Sequence, residues 1–99
     1  MNIQIQAVEF EADEKLKDLI SKKVAKLEQY FDKIIDVEVF LRLENQGAQV
    51  KDKSVHIKVN IPGETLYSKE NSKLFEESLD LAVDSLRRQI KKYKEKIRN

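Results

Sequence analysis

No cysteine and no tryptophan occur in these 99 residues, and proline and methionine occur once each. The absence of cysteine excludes disulfides and thiolate metal centres. Gly47 and Gly63 are the only glycines, so no glycine-rich phosphate loop can form. The single histidine, His56, leaves neither an imidazole metal cluster nor the makings of a Ser-His pair. No apolar run approaches the roughly 18 residues of a membrane span. The opening MNIQIQAVEF lacks the basic and apolar regions of a signal peptide. A soluble cytoplasmic protein is the expectation.

What is present is charge. Charged residues make up 37% of the chain and apolar ones 40%, with 19 Lys and Arg against 18 Asp and Glu. The near-zero total hides a strong polarity. Residues 64–84 carry a net −4 and residues 85–99 a net +6. Such polarity points to an anionic partner for one end of the molecule. No linker, low-complexity block or repeat divides the sequence, so residues 1–99 are expected to form one domain.

Hydropathy spacing gives the element order. NIQIQA alternates with period two, as a half-buried strand does. From Asp13 to about Phe31, Leu16, Leu19, Ile20, Val24, Leu27, Tyr30 and Phe31 recur at helical spacing, with Asp13 and Glu14 at the start. Val37, Val39, Leu41 and Leu43 return to period two, as do Val55, Ile57, Val59 and Ile61. QGAQVKD is a polar loop between those strands. Pro62-Gly63 fits the centre of a type II turn leading into the strand ETLYSKE. From Ser72 to Ile97 helical spacing holds through Phe75, Leu79, Ala82, Val83, Leu86, Ile90, Tyr93 and Ile97. The order β-α-β-β-β-α predicts an α+β fold, a four-stranded antiparallel-rich sheet with two helices on one face.

No catalytic constellation emerges. His56 lies mid-strand among outward-facing Ser54, Lys58 and Asn60. Glu76, Glu77, Asp80 and Asp84 fall at helical spacing, as a solvated face does, in the half of a helix where the dipole favours acids. With no partner groups for them, the sequence predicts a protein with no catalytic residues, no cofactor and no metal. Phe40 is an exposed aromatic on the outward sheet face, an ordinary feature by itself.

The cations are organised. On a helical projection Arg87, Lys91, Lys94 and Arg98 form a row on one flank of the last helix, Arg88 and Lys92 lie on its back, and Lys96 on the other flank. Favourable charge at a helix C-terminus accounts for the final turn only. In the first helix Lys23 falls inside the apolar stripe, where a lysine buries its stem and frees its head, and Lys22 and Lys26 flank it. The nine residues Lys22, Lys23, Lys26, Arg87, Arg88, Lys91, Lys92, Lys94 and Lys96 are the candidate RNA-binding set. A basic surface across two helices suits structured RNA, recognised by shape and phosphate.

KKVAKLEQYFDKI at 22–34 and DLAVDSLRRQIKKYKEK at 80–96 resemble the short ribosome hibernation promoting factors, a family that includes the ribosome-associated inhibitor A proteins and is also called sigma-54 modulation proteins. The resemblance spans essentially the whole chain. It implies a fold similar to double-stranded RNA-binding domains and a partner in the 30S subunit and 70S ribosome. Binding would be against 16S rRNA in the A- and P-site channel, inhibiting translation under stress or in stationary phase. It further implies no membrane, no small-molecule substrate, a monomer off the ribosome, and a short form without the C-terminal dimerisation domain of long members. The basic positions matching the family are Lys23, Lys26, Arg88, Lys92, Lys94 and Lys96. The Asp-x-Tyr pair often found at the start of the second helix is replaced by Leu74 and Glu76, so contacts of that pair do not transfer. Two alternatives remain open: a general double-stranded RNA-binding module, and a protein-interaction domain acting on a sigma factor.

Overall fold

Asp13 starts the first helix by capping it. Its side chain accepts a hydrogen bond from the Leu16 N–H at 2.8 Å, satisfying one of the amides that a helix start leaves unpaired. The computed structural model describes residues 1–45 and 51–97. Gly47 and most of the QGAQVKD loop, and Arg98 at the end of the cationic row, lie outside those residues.

Among the described residues the strands and α-helices follow in the expected order. They are β1 (Asn2–Ala7), α1 (Glu14–Ala25), β2 (Asp36–Asn45), β3 (Lys51–Ile61), β4 (Glu64–Ser72) and α2 (Phe75–Ile97). The sheet order is β1-β2-β3-β4. β1 pairs with β2 in parallel, and the other two pairings are antiparallel. A parallel neighbour requires a crossover, and α1 supplies it. Gly63 has φ 79°, the backbone that the third residue of a type II turn needs and that glycine adopts without steric cost.

The core lies between the sheet and both helices. Val37, Val39, Leu41, Val55, Ile57 and Val59 are fully buried on the inner face. Against them pack Ile20, Val24 and Leu27 from the first helical segment and Leu79, Ala82, Leu86 and Ile90 from α2, all fully buried. Each such Val, Leu or Ile contributes roughly 1.5–3 kcal/mol of transfer free energy. Hydrogen bonds seat α2 along its length. Ser78 Oγ donates to the Lys53 carbonyl at 2.6 Å, Gln89 Nε2 to that of Tyr67 at 2.6 Å, and Tyr93 Oη to that of Pro62 at 3.2 Å.

Three apolar residues depart from the expected pattern. Leu43 is 37% exposed; it pairs with Lys53, which lies beneath the first turn of α2, so the strand pair runs out from under the helices there. Ile97 is 56% exposed, because α2 continues one turn past Tyr93, its last anchor to the sheet. It does not tie the helix end to the core. Tyr30 is 40% exposed. The α-helix tightens after Ala25 into a 3-10 turn, Lys26–Gln29, so helical spacing no longer governs Tyr30, while Phe31 still turns inward.

Candidate nucleic-acid interface

The two helices lie side by side and run the same way. Lys23, late in α1, meets the start of α2, and the segment just after α1 meets the end of α2. The first half of α2 is acidic and its second half basic, as the helix dipole favours at each end. The core residues Leu86 and Ile90 alternate with the basic ones, so the cations project from a rigid helix rather than from a mobile tail.

The structure divides the nine candidate cations. Lys23, on the inner flank of α1, reaches Asp80 at 2.5 Å and Glu76 at 3.6 Å. The hydrogen bond to Asp80 raises its pKa, against the opposing effect of partial burial. Lys23 was expected to join the cationic row of α2, but it is held by the acidic half of that helix instead. Its position inside the apolar stripe is explained by this bridge. Lys22 is exposed beside a hollow that also contains Asp13, Asp18 and Glu76, so it too lies at the acidic end. Lys26 is exposed in the 3-10 turn.

Arg87, Lys91 and Lys94 come together as the row the projection describes. With Tyr30, Ile90 and Glu95 they line one cleft between the 3-10 turn and α2. Arg87 Nη2 lies 2.9 Å from Asp84 Oδ1, and Arg88 Nε lies 3.5 Å from Asp84 Oδ2. The Arg87 hydrogen bond holds the Asp84 carboxyl below its ordinary range. One acid therefore partly neutralises two arginines. Lys94 Nζ donates to the Tyr30 carbonyl at 2.9 Å. Lys91, Lys92 and Lys96 are exposed, and among the described residues none of them forms an ion pair.

The sequence reading placed Tyr30 with the core, and the structure puts it in the cationic cleft. A QY pair at the end of an amphipathic segment carries no signal that distinguishes these outcomes.

The open face of the sheet carries a second arrangement. The rings of Phe40, His56 and Tyr67 form a row across β2, β3 and β4, with successive centroids 5.9 Å apart, and Lys58 Nζ lies 5.7 Å from the Tyr67 centroid. Burial pushes the His56 pKa down, and Lys69, Lys58 and Arg42 push it the same way. Charge on this face is balanced, with Lys58 3.9 Å from Glu38 and Lys69 3.2 Å from Glu44. The cationic surplus therefore belongs to the end of α2. Among the described residues no group of three or more His, Asp or Glu side chains could hold a metal ion, and no helix is long and apolar enough to cross a membrane.

Comparison with known proteins agrees with this architecture. Residues 3–98 match the family described as Sigma 54 modulation protein / S30EA ribosomal protein. The chain is 34% identical over 98 residues to the ribosome hibernation promoting factor of Escherichia coli K12, covering 99% of this chain and 98% of that one. It is also 34% identical over 99 residues to the ribosome hibernation promotion factor of Bacillus subtilis, covering 98% of this chain. It spans about half (50%) of that longer relative. Among solved structures, the N-terminal domain of Thermus thermophilus Protein Y superposes with a TM-score of 0.81 at 28% identity, covering 94% of this chain and 99% of that one. A ribosomal subunit interface protein from Coxiella burnetii shares the fold, with a TM-score of 0.84 at 24% identity over 95% of this chain and 98% of that one.

Proposed function

We propose that this chain, which belongs to the Sigma 54 modulation protein / S30EA ribosomal protein family, is a cytoplasmic, non-catalytic ribosome hibernation factor. It binds the small ribosomal subunit through 16S rRNA, occupies the channel of the A and P sites, and so inhibits translation under stress. The observation that carries this reading is the cluster of Arg87, Lys91 and Lys94 on a helix locked to the core by Leu86 and Ile90. Relatives named for ribosome hibernation, matching nearly the full chain, support it.

The mechanism is steric occlusion with affinity dominated by phosphate contacts. Arg87, Arg88, Lys91, Lys92 and Lys96 offer charge at the end of α2, and Lys26 adds to it from the 3-10 turn. Lys94 combines a place in the cleft with a brace to the Tyr30 backbone. Lys23 acts indirectly, by joining the helices that present the others.

Co-sedimentation with 30S subunits across a salt series tests the proposal. If about six phosphates are engaged, log affinity falls against log salt with a slope of about −4 to −5. The combined substitution Arg88→Glu, Lys91→Glu and Lys92→Glu abolishes binding and relieves inhibition of cell-free translation. Binding that ignores salt, or free duplex RNA competing as well as unlabelled 30S subunits, would overturn the reading.

A further inference from the structure

The cleft between the 3-10 turn and α2 has a feature that phosphate binding alone does not need, an aromatic ring in its wall. Tyr30 is 40% exposed, yet the chain around it is fixed. Its N–H donates to the Leu27 carbonyl at 3.0 Å, and its own carbonyl accepts from Lys94 Nζ at 2.9 Å. The next residue, Phe31, is buried and packs edge-to-face on Tyr93 with centroids 5.5 Å apart. An exposed ring on a backbone held from both sides is preorganised, so little ordering entropy remains to be lost on binding.

The other walls of the cleft supply complementary chemistry. Arg87 and Lys91 provide positive charge, and Ile90, fully buried beneath them, fixes the helix that carries both. Tyr30 and Arg87 line the same cleft, so ring and cation serve one small space. The cavity measures about 320 Å³, near the lower end of the roughly 300–1,000 Å³ typical of small-ligand sites. That is room for one nucleotide and not for a stretch of duplex. Glu95 also lines the cleft, so an anion there depends on the charge of Arg87 and Lys91 to offset it. Tyr30 and Lys94 also border a neighbouring hollow, but Glu28 and Asp32 make that side unsuitable for an anion.

We infer that this cleft receives one unpaired nucleotide of the RNA partner, its base stacked on Tyr30 and its phosphate held by Arg87 and Lys91. Stacking accepts any base face and requires the base to be out of a helix. The site therefore selects single-stranded or bulged RNA over uninterrupted duplex. This inference rests on the rRNA-binding reading above and deepens it.

Two measurements test it. In the first, binding to 30S subunits is compared for the wild type, Tyr30→Ala, Tyr30→Leu and Tyr30→Phe across the salt series. Loss of a stacked base lowers affinity roughly 5- to 150-fold, so Tyr30→Ala and Tyr30→Leu fall within that range without a change of salt slope. Tyr30→Phe, which keeps the ring, stays within about 3-fold of wild type. Lys91→Gln instead makes the slope shallower by about 0.7–0.9. Tyr30→Leu retains apolar bulk, so a thermal melt matching wild type separates stacking from folding. Wild-type affinity in Tyr30→Leu, or a slope change like that of Lys91→Gln, would overturn the inference.

The second measurement titrates the free protein with AMP, UMP and inorganic phosphate, followed by amide and aromatic NMR shifts. The nucleotides are expected to move the Tyr30 ring resonances together with the Arg87 and Lys91 amides, and phosphate to move the two cationic positions alone. Nucleotide shifts that spare Tyr30 would refute the site. If wild type fails to bind 30S subunits, the ribosomal reading falls, and this titration still decides the cleft by itself.

Discussion

Lys23 Nζ on α1 lies 2.5 Å from Asp80 Oδ1 on α2, with Glu76 behind it at 3.6 Å. The pair ties the last turn of α1 to the acidic half of α2 and leaves the basic half of α2 outside the bridge. Lys23 is 22% exposed and Asp80 56% exposed in their side chains, so solvent screens the attraction. A double-mutant cycle with Lys23→Met and Asp80→Asn is expected to give a coupling of about 0.5–1 kcal/mol. Each single variant lowers Tm by a few degrees, at roughly 4–8 °C per kcal/mol for a domain of this size. Because the Lys23 pKa is raised on folding, its contribution is present below the unfolded lysine pKa of about 10.4 and is lost as pH rises through the higher folded value. Zero coupling in the cycle would show that the bridge does not join the helices.

Asp84 restrains two arginines, at 2.9 Å from Arg87 and 3.5 Å from Arg88. Asp84→Asn removes that competition and raises the net charge of the cationic end by one. Binding to 30S subunits at low salt is expected to tighten about 2- to 5-fold, the scale of a surface ion pair. The gain fades at high salt as screening increases. Filter binding at two ionic strengths measures both effects, and weaker binding would mean that Asp84 positions the arginines.

Ile90 and Ile97 share one side of α2 but differ in burial, at 0% and 56% exposure. Ile90→Ala is expected to cost about 2–5 kcal/mol, the range for emptying a core aliphatic site. Ile97→Ala should stay within about 0.5 kcal/mol of wild type. Urea unfolding of both variants compares them directly, and similar losses would place the end of α2 in the core after all.

His56 sits between the rings of Phe40 and Tyr67, and its pKa is lowered by burial and by Lys69, Lys58 and Arg42. Between its folded value and the ordinary value of about 6.5, the unfolded chain holds more protons than the native one. Stability therefore falls as pH drops below that ordinary value. His56→Gln should flatten this part of the stability profile, measured by denaturant midpoints from pH 5 to 8. An unchanged profile would remove His56 as its source.

The open sheet face shows how far residue patterns reach. Alternation marked Phe40 and His56 as outward-facing, but it could not place Tyr67 beside them, because that neighbour is set by register between strands. Burial failed at Leu43 and Ile97 for a related reason. Periodicity reports which face a residue occupies, and it does not report where the opposing layer stops.

The sequence by itself determined the element order, the inward faces of the strands, the glycine turn at Gly63 and the charge polarity of α2. These depend on local spacing, on backbone freedom and on composition, which a linear chain displays. Tertiary structure alone decided that β1 lies parallel beside β2, that Lys23 faces Asp80, and that Tyr30 joins Arg87 and Lys91. Those outcomes depend on how two helices align across a shared core and where an α-helix tightens into a 3-10 turn. In the two helix contacts, residues more than fifty positions apart meet, at separations that no spacing rule encodes.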